Sequence, residues 1–259
     1  MKKYILFYLL LLFSGCGVTD FYTIDGPDDI YDRIPAFDSR SDYAPYDLAR
    51  FRPVLDRCKL QYPTGTAVPY GKLRDVRRPY FFARDDAVWF VVHKSREMEK
   101  IRSELREKGD WHTDDVPGHS WHANLRCFKP KKGVDSYTWM QVHGTDDTFD
   151  YPILRLMWVR NYEGRYDHLW AIVIVSDAYV EEKVYEWVDL GKRPGGYFDV
   201  DVSFLDNRME VSVAGKTIIS RDVSYWERVA NYFKAGVYVN RHDDAGSAAV
   251  AFQKLQFLH

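Results

Sequence analysis

Residues 232–240 read YFKAGVYVN, and their alternation decides the fold class. Phe233, Ala235, Val237 and Val239 fall on one side of an extended chain, and Tyr232, Lys234, Gly236, Tyr238 and Asn240 on the other. Strand side chains point alternately to opposite faces, so this stretch predicts a strand with one buried face and one polar, cationic face. Gly236 leaves that polar face open to close approach. The pattern recurs outward. Phe198, Val200, Val202 and Phe204 alternate with Asp199, Asp201 and Ser203, and Met209, Val211 and Val213 with Arg208, Glu210 and Ser212. HLWAIVIVS at 168–176 and AVWFVVH at 87–93 are nearly continuous apolar runs, as central strands require. Turn residues punctuate the strands at Asn161-Tyr162-Glu163-Gly164, Arg193-Pro194-Gly195-Gly196 and Asp244-Ala245-Gly246. The prediction is an all-β domain, a jelly-roll sandwich of two antiparallel sheets.

The chain has 259 residues and no internal repeat, which suits one large β domain. Hydrophobic residues make up 46% and aromatic residues 16%, a globular composition. The 19 Tyr and 8 Trp suit strands, and flat rings also cover the apolar faces of sugars. A net charge of −2 gives no signal for nucleic acid. It leaves an anionic substrate open, because a groove needs only local positive charge.

The N-terminus reads as a targeting segment. Lys2 and Lys3 precede an apolar run from Tyr4 to Phe13, too short to span a bilayer as a helix. Phe13-Ser14-Gly15-Cys16 follows and resembles a bacterial lipobox, with Phe13 in place of the usual Leu. Residues 1–16 are therefore expected to be a lipoprotein signal peptide, with Cys16 acylated, and the protein to be lipid-anchored in the bacterial cell envelope. An ordinary signal peptide is the alternative. Residues 17–46, rich in Asp, Pro, Ser and Tyr, read as a tether, and the domain as 47–259. Of the three cysteines, Cys58 and Cys127 remain to pair in an oxidising compartment, and a disulfide between them is expected, with two buried free thiols as the alternative. No Cys/His spacing suggests a metal.

Three segments carry chemistry. In Arg102-Ser103-Glu104-Leu105-Arg106, a strand would put two guanidiniums and a carboxylate on one face, a carboxylate-binding edge. The surrounding EMEKIRSELREK at 97–108 also reads as an amphipathic helix, with Met98, Ile101 and Leu105 on one stripe, and local pattern alone favours a solvated surface helix. In Gln141-Val142-His143, a strand would align an amide donor with a group able to take a proton near neutral pH. The third segment is the opening strand.

In this order the three segments resemble the motifs R-S/T-E-L-R, Q-I/V-H and Y-F-K-A-G-x-Y of polysaccharide lyase family 7, the alginate lyases. Arg78 to His93 and Leu205 to Lys216 resemble the flanking strands, so the likeness spans roughly residues 47–259. Two departures stand out. The family often continues the last motif as Tyr-x-Gln, where this chain has Tyr238-Val239-Asn240, and Val142 replaces the Ile of many guluronate-active members. Val goes with mannuronate preference.

The resemblance implies a concave sheet face that binds a uronate chain and cleaves it by β-elimination, leaving a 4,5-unsaturated non-reducing end. Arg102 and Gln141, helped by His143, would neutralise the carboxylate beside the C5 proton. His143 or Tyr238 would be the base, depending on the sugar epimer, and Tyr238 the acid for the leaving oxygen. Lys234 and Arg106 would stabilise the Tyr238 phenolate and hold neighbouring carboxylates, with Tyr232 and Asn240 also touching substrate. Glu104 would orient the two arginines. No metal or organic cofactor is implied, and the protein is expected to be a monomer. A lyase on another polyuronate such as glucuronan shares all of this. A non-catalytic surface glycan-binding lipoprotein would not need Gln141, His143 and Tyr238 together. A glycoside hydrolase would need a carboxylate pair that no strand spacing singles out.

Overall fold

The computed structural model describes residues 31–131, 133–145, 151–178, 180–240 and 245–259. Cys16, the signal peptide and residues 17–30 lie outside the described residues, as does Asp244. The strands are β1 (Cys58–Gln61), β2 (Thr66–Val68), β3 (Phe81–Arg84), β4 (Ala87–Lys94), β5 (Ile101–Glu107), β6 (His119–Cys127), β7 (Ser136–Gly144) and β8 (Pro152–Tyr162). They continue with β9 (Arg165–Ile174), β10 (Tyr185–Lys192), β11 (Phe198–Leu205), β12 (Arg208–Val213), β13 (Lys216–Asp222), β14 (Asn231–Val239) and β15 (Gly246–Leu258). A short helix, α1 (Arg52–Asp56), precedes β1.

Two antiparallel sheets form the predicted jelly-roll sandwich. One runs β10-β9-β8-β7-β14-β5-β1-β2 and the other β13-β12-β11-β6-β15-β4-β3. Four hairpins turn on residue pairs with positive φ: Asp85-Asp86, Glu163-Gly164, Asp206-Asn207 and Ala214-Gly215. Such pairs match the twist of the flanking strands, and Asp, Asn and Gly enter that region at least cost. The alternation seen in the sequence is the alternation of burial: β6 and β11 each bury every second side chain. The inward faces meet in one core that includes Phe90, Trp121, Trp139, Trp158, Phe233 and Phe252, with the Trp121 and Trp139 rings 6.1 Å apart. Burying each such side chain contributes roughly 1.5–3 kcal/mol.

The structure departs from the sequence reading in three places. Residues 97–108 do not form a helix. Ile101–Glu107 is a strand, because β14 and β1 bond to its two edges and its Ile101, Ser103 and Leu105 enter the core. The packed chain also begins before Asp47. The Asp42 carboxylate accepts two bonds from Arg84, at 2.6 and 2.9 Å, and Tyr43 pairs with Ala83. Ile34 and Phe37 pack on a second apolar cluster, centred on Phe82, Trp89 and Phe128, on the outside of the seven-stranded sheet. Finally, Cys58 and Cys127 are free, buried thiols rather than a disulfide. Cys58 starts β1 in one sheet beside Glu107, whereas Cys127 ends β6 in the other beside Tyr137 and Arg193.

Candidate active site

All three motif segments are neighbours: β7, β14 and β5 lie side by side in the eight-stranded sheet. The register sets Tyr238 opposite Arg102, Lys234 between Arg106 and Gln141, and Tyr232 opposite His143. Strand alternation therefore places Arg102, Glu104, Arg106, Gln141, His143, Tyr232, Lys234 and Tyr238 on one outward face.

Beneath that face lies a charged floor. Glu104 is 1% exposed and Lys234 is 2% exposed. The Lys234 ammonium donates to Glu104 Oε2 at 2.7 Å, and the Gln141 Nε2 donates to Glu104 Oε1 at 2.7 Å. Arg102 stands 3.6 Å from Oε2. Glu104 thus holds Arg102, Gln141 and Lys234, and not the two arginines expected. Arg106 turns instead to Tyr232, with its guanidinium carbon 4.1 Å from the ring centroid. Lys234 is too deep to meet a flanking carboxylate. Burial lowers its ammonium to about 8, against the opposing pull of Glu104. An ammonium in a dry site loses its hydration, and only the facing carboxylate keeps it charged.

Aromatic rings brace the reacting groups. His143 stacks on Tyr232, 5.3 Å between centroids, so the buried Tyr232 supports both His143 and Arg106. His143 Nδ1 donates to the Gly144 carbonyl at 2.9 Å, which fixes the neutral tautomer with its lone pair on Nε2. The cation expected beside Tyr238 is Arg102, 4.6 Å from its ring centroid, rather than Lys234 or Arg106. Asn240 meets Tyr238 itself: the Tyr238 hydroxyl donates to Asn240 Oδ1 at 3.3 Å.

Gly236 does not open the floor. Its φ is +145°, and a Cβ there would fall 2.2 Å from the Ser103 carbonyl and 2.7 Å from Glu104 Cα. The glycine makes room for β5, which carries the two arginines. The face also holds polar groups that no motif marks. Gln61 pairs with Glu104 and Lys59 with Arg106 from β1, and Arg155 pairs with Gln141 from β8. The Nε atoms of Arg102, Arg106 and Arg155 and the Oε1 of Gln61 are buried without a hydrogen-bond partner among the described residues. Arg102, Arg106 and Arg155 together make this face locally cationic.

A family model described as alginate lyase matches residues 54–259. The chain belongs to the alginate lyase family. The three segments that carry the resemblance, far apart in the sequence, are adjacent in space. An alginate lyase from Photobacterium sp. (strain ATCC 43367) is 27% identical over 82% of this chain and 87% of its own length. Among solved structures, alginate lyase AlyC3 in complex with dimannuronate matches with a TM-score of 0.74. The match covers 87% of this chain and 98% of that one, at 20% identity. Family 7 alginate lyase A1-II′ in complex with product (GGG) gives 0.67 over 84% and 99%, at 22% identity. At these identities the structural likeness speaks for the shared alginate-lyase fold.

Proposed function

We propose that this protein cleaves alginate by β-elimination on the outward face of β5, β14 and β7. The observation that carries the reading is that Arg102, Gln141, His143 and Tyr238, from three separate segments, share one face with the guanidiniums of Arg106 and Arg155. The C5 proton of a uronate is poorly acidic because its carboxylate is already negative. Removing it places further charge on that carboxylate, so the site must supply donors where charge develops. Arg102 and the second N–H of the Gln141 amide are those donors. Where the C5 proton and the C4 oxygen lie on opposite sides of the ring, His143 Nε2 takes the proton and the Tyr238 hydroxyl protonates the leaving oxygen. Where they lie on the same side, Tyr238 serves both steps, and the Arg102 cation over its ring favours the transient phenolate. Glu104, Lys234, Tyr232 and Asn240 act through these groups as positioning residues.

The test is incubation with polymannuronate, polyguluronate and glucuronan, followed by ultraviolet absorbance of the unsaturated ends. Alginate blocks should give product and Tyr238→Phe should give none while keeping the parent's melting temperature. Binding without product would favour a glycan-binding lipoprotein, and product from glucuronan alone would move the substrate. The Val142 variant of the second motif supports a preference for the mannuronate blocks. We also propose that Cys16 is acylated and anchors the protein in the cell envelope, a reading supported by the lipobox-like Phe13–Cys16. Mass spectrometry of the membrane fraction should find lipid on Cys16, and Cys16→Ser should release the protein.

A further inference from the structure

The register defines a straight row across half of the sheet. Gln141 on β7 faces Arg155 on β8, Arg155 faces Ile172 on β9, and Ile172 faces Trp187 on β10. At about 4.8 Å between strands, Arg155 lies one strand from Gln141, and Trp187 lies about 14 Å away. Arg155 is half-buried, with its Nε enclosed and unpaired, and no ion pair or hydrogen bond to its guanidinium occurs among the described residues. The Nε is closed to solvent, so a carboxylate meets the terminal nitrogens of the guanidinium. Two places along β10 from Trp187, Tyr185 is 47% exposed and lies within electrostatic reach of Arg155. Trp187 stacks one face on Tyr162, 4.4 Å between centroids, and Trp170 abuts both rings edge-on. A guanidinium followed by apolar and aromatic surface matches a uronate, which has a carboxylate at one edge and an apolar ring face.

We propose that Arg155, Ile172, Tyr185 and Trp187 form a further uronate-binding subsite, taking a sugar of the same chain remote from the bond that is cut. This rests on the reading of the neighbouring face as a polyuronate lyase site. Arg155 grips the carboxylate and the β10 rings cover the pyranose, so the subsite rewards longer chains.

The experiment compares wild type, Arg155→Ala, Arg155→Lys and Trp187→Ala on a length series of alginate oligosaccharides and on polymer. KM should rise about tenfold for Arg155→Ala on polymer, the loss of about 1.4 kcal/mol of binding. The ratio of polymer to short-oligosaccharide kcat/KM should collapse. Arg155→Lys should restore part of that ratio, since a point charge keeps attraction and loses the fork. Trp187→Ala should lower the ratio without altering its salt dependence. A length profile identical to wild type in a folded Arg155→Ala would overturn the subsite while leaving the lyase reading intact. Absence of unsaturated product from wild type on every polyuronate would overturn that reading instead. If Arg155→Ala melts lower than wild type, Arg155→Gln decides, because it keeps the volume and removes the charge.

Discussion

Replacing Glu104 by Gln tests whether the floor of the site is an ion pair that organises the residues above it. Glu104 and Lys234 are both buried and bonded at 2.7 Å. Removing one member of a buried pair strands the other, at a cost of about 3–5 kcal/mol, whereas removing both with well-packed substitutes is often neutral. The structure makes the asymmetry specific. Lys234 already sits at about 8 with the carboxylate in place, because burial disfavours its charge. Without Glu104 the ammonium loses the pull that opposes burial and holds its proton more weakly still. Glu104→Gln and Lys234→Met should therefore each lose about 3 kcal/mol in urea unfolding. The double variant should lie within about 1 kcal/mol of wild type. Activity should behave differently, falling about 10²-fold in Glu104→Gln and in the double variant, because in both Gln141 and Arg102 lose the carboxylate that fixes them. Single variants that each cost under 1 kcal/mol, or a double variant whose losses add, would refute the pair. A stable double variant with wild-type kcat would refute the positioning role.

The remaining predictions are shorter. Lys234 titrates near 8 when folded and near its ordinary 10.5 when unfolded, so between these values the unfolded chain binds more protons. Relative to Lys234→Met, wild type should then gain stability as pH rises from 8 to 10.5, and urea unfolding at pH 7.5 and 10 reads the sign. Gly236→Ala should destabilise by about 3 kcal/mol or more, since its Cβ strikes the β5 backbone at a φ of +145°, and calorimetry measures the loss. Burial raises both the Cys58 and Cys127 thiols, so neither should react with a disulfide reagent in the native protein, and a reductant should leave the melting temperature unchanged.

Legibility differed from strand to strand, for physical reasons. YFKAGVYVN announces itself because its alternation sorts the side chains onto the faces the register gives them, although both faces of the strand are buried. RSELREK does not, because Glu, Leu, Arg and Lys favour helices and Met98, Ile101 and Leu105 recur at helical spacing. Edge-to-edge bonding with β14 and β1 overrides that preference, and this pairing is long-range. Lys234 looks like a surface cation, and its burial follows from Glu104 opposite Gly236, which no local pattern shows. Arg155 is a single charge inside the apolar run PILRLMWV, a visible oddity. Its meaning depends on β8 pairing with β7 in the register that sets it beside Gln141. The disulfide failed as an inference because compartment and parity say nothing about distance.

The presence of Glu104 at the centre of a site for a polyanion looks self-defeating, since its charge opposes that of the substrate. Lys234 resolves the conflict by cancelling it within the floor, which leaves Arg102 and Arg106 as net positive charge on the face. Glu104 has a task that no neutral residue performs as well. As an acceptor with no donor of its own, it fixes which end of the Gln141 amide points inward and holds Arg102 at 3.6 Å. A Gln there would offer one acceptor and would let the Gln141 amide turn over. The compensation works only while Lys234 carries its proton. As pH rises through about 8 the floor becomes net negative under the very donors meant to receive a carboxylate. Substrate binding should then weaken before the fold does, because the same deprotonation that exposes the Glu104 charge removes a buried cation and stabilises the native state.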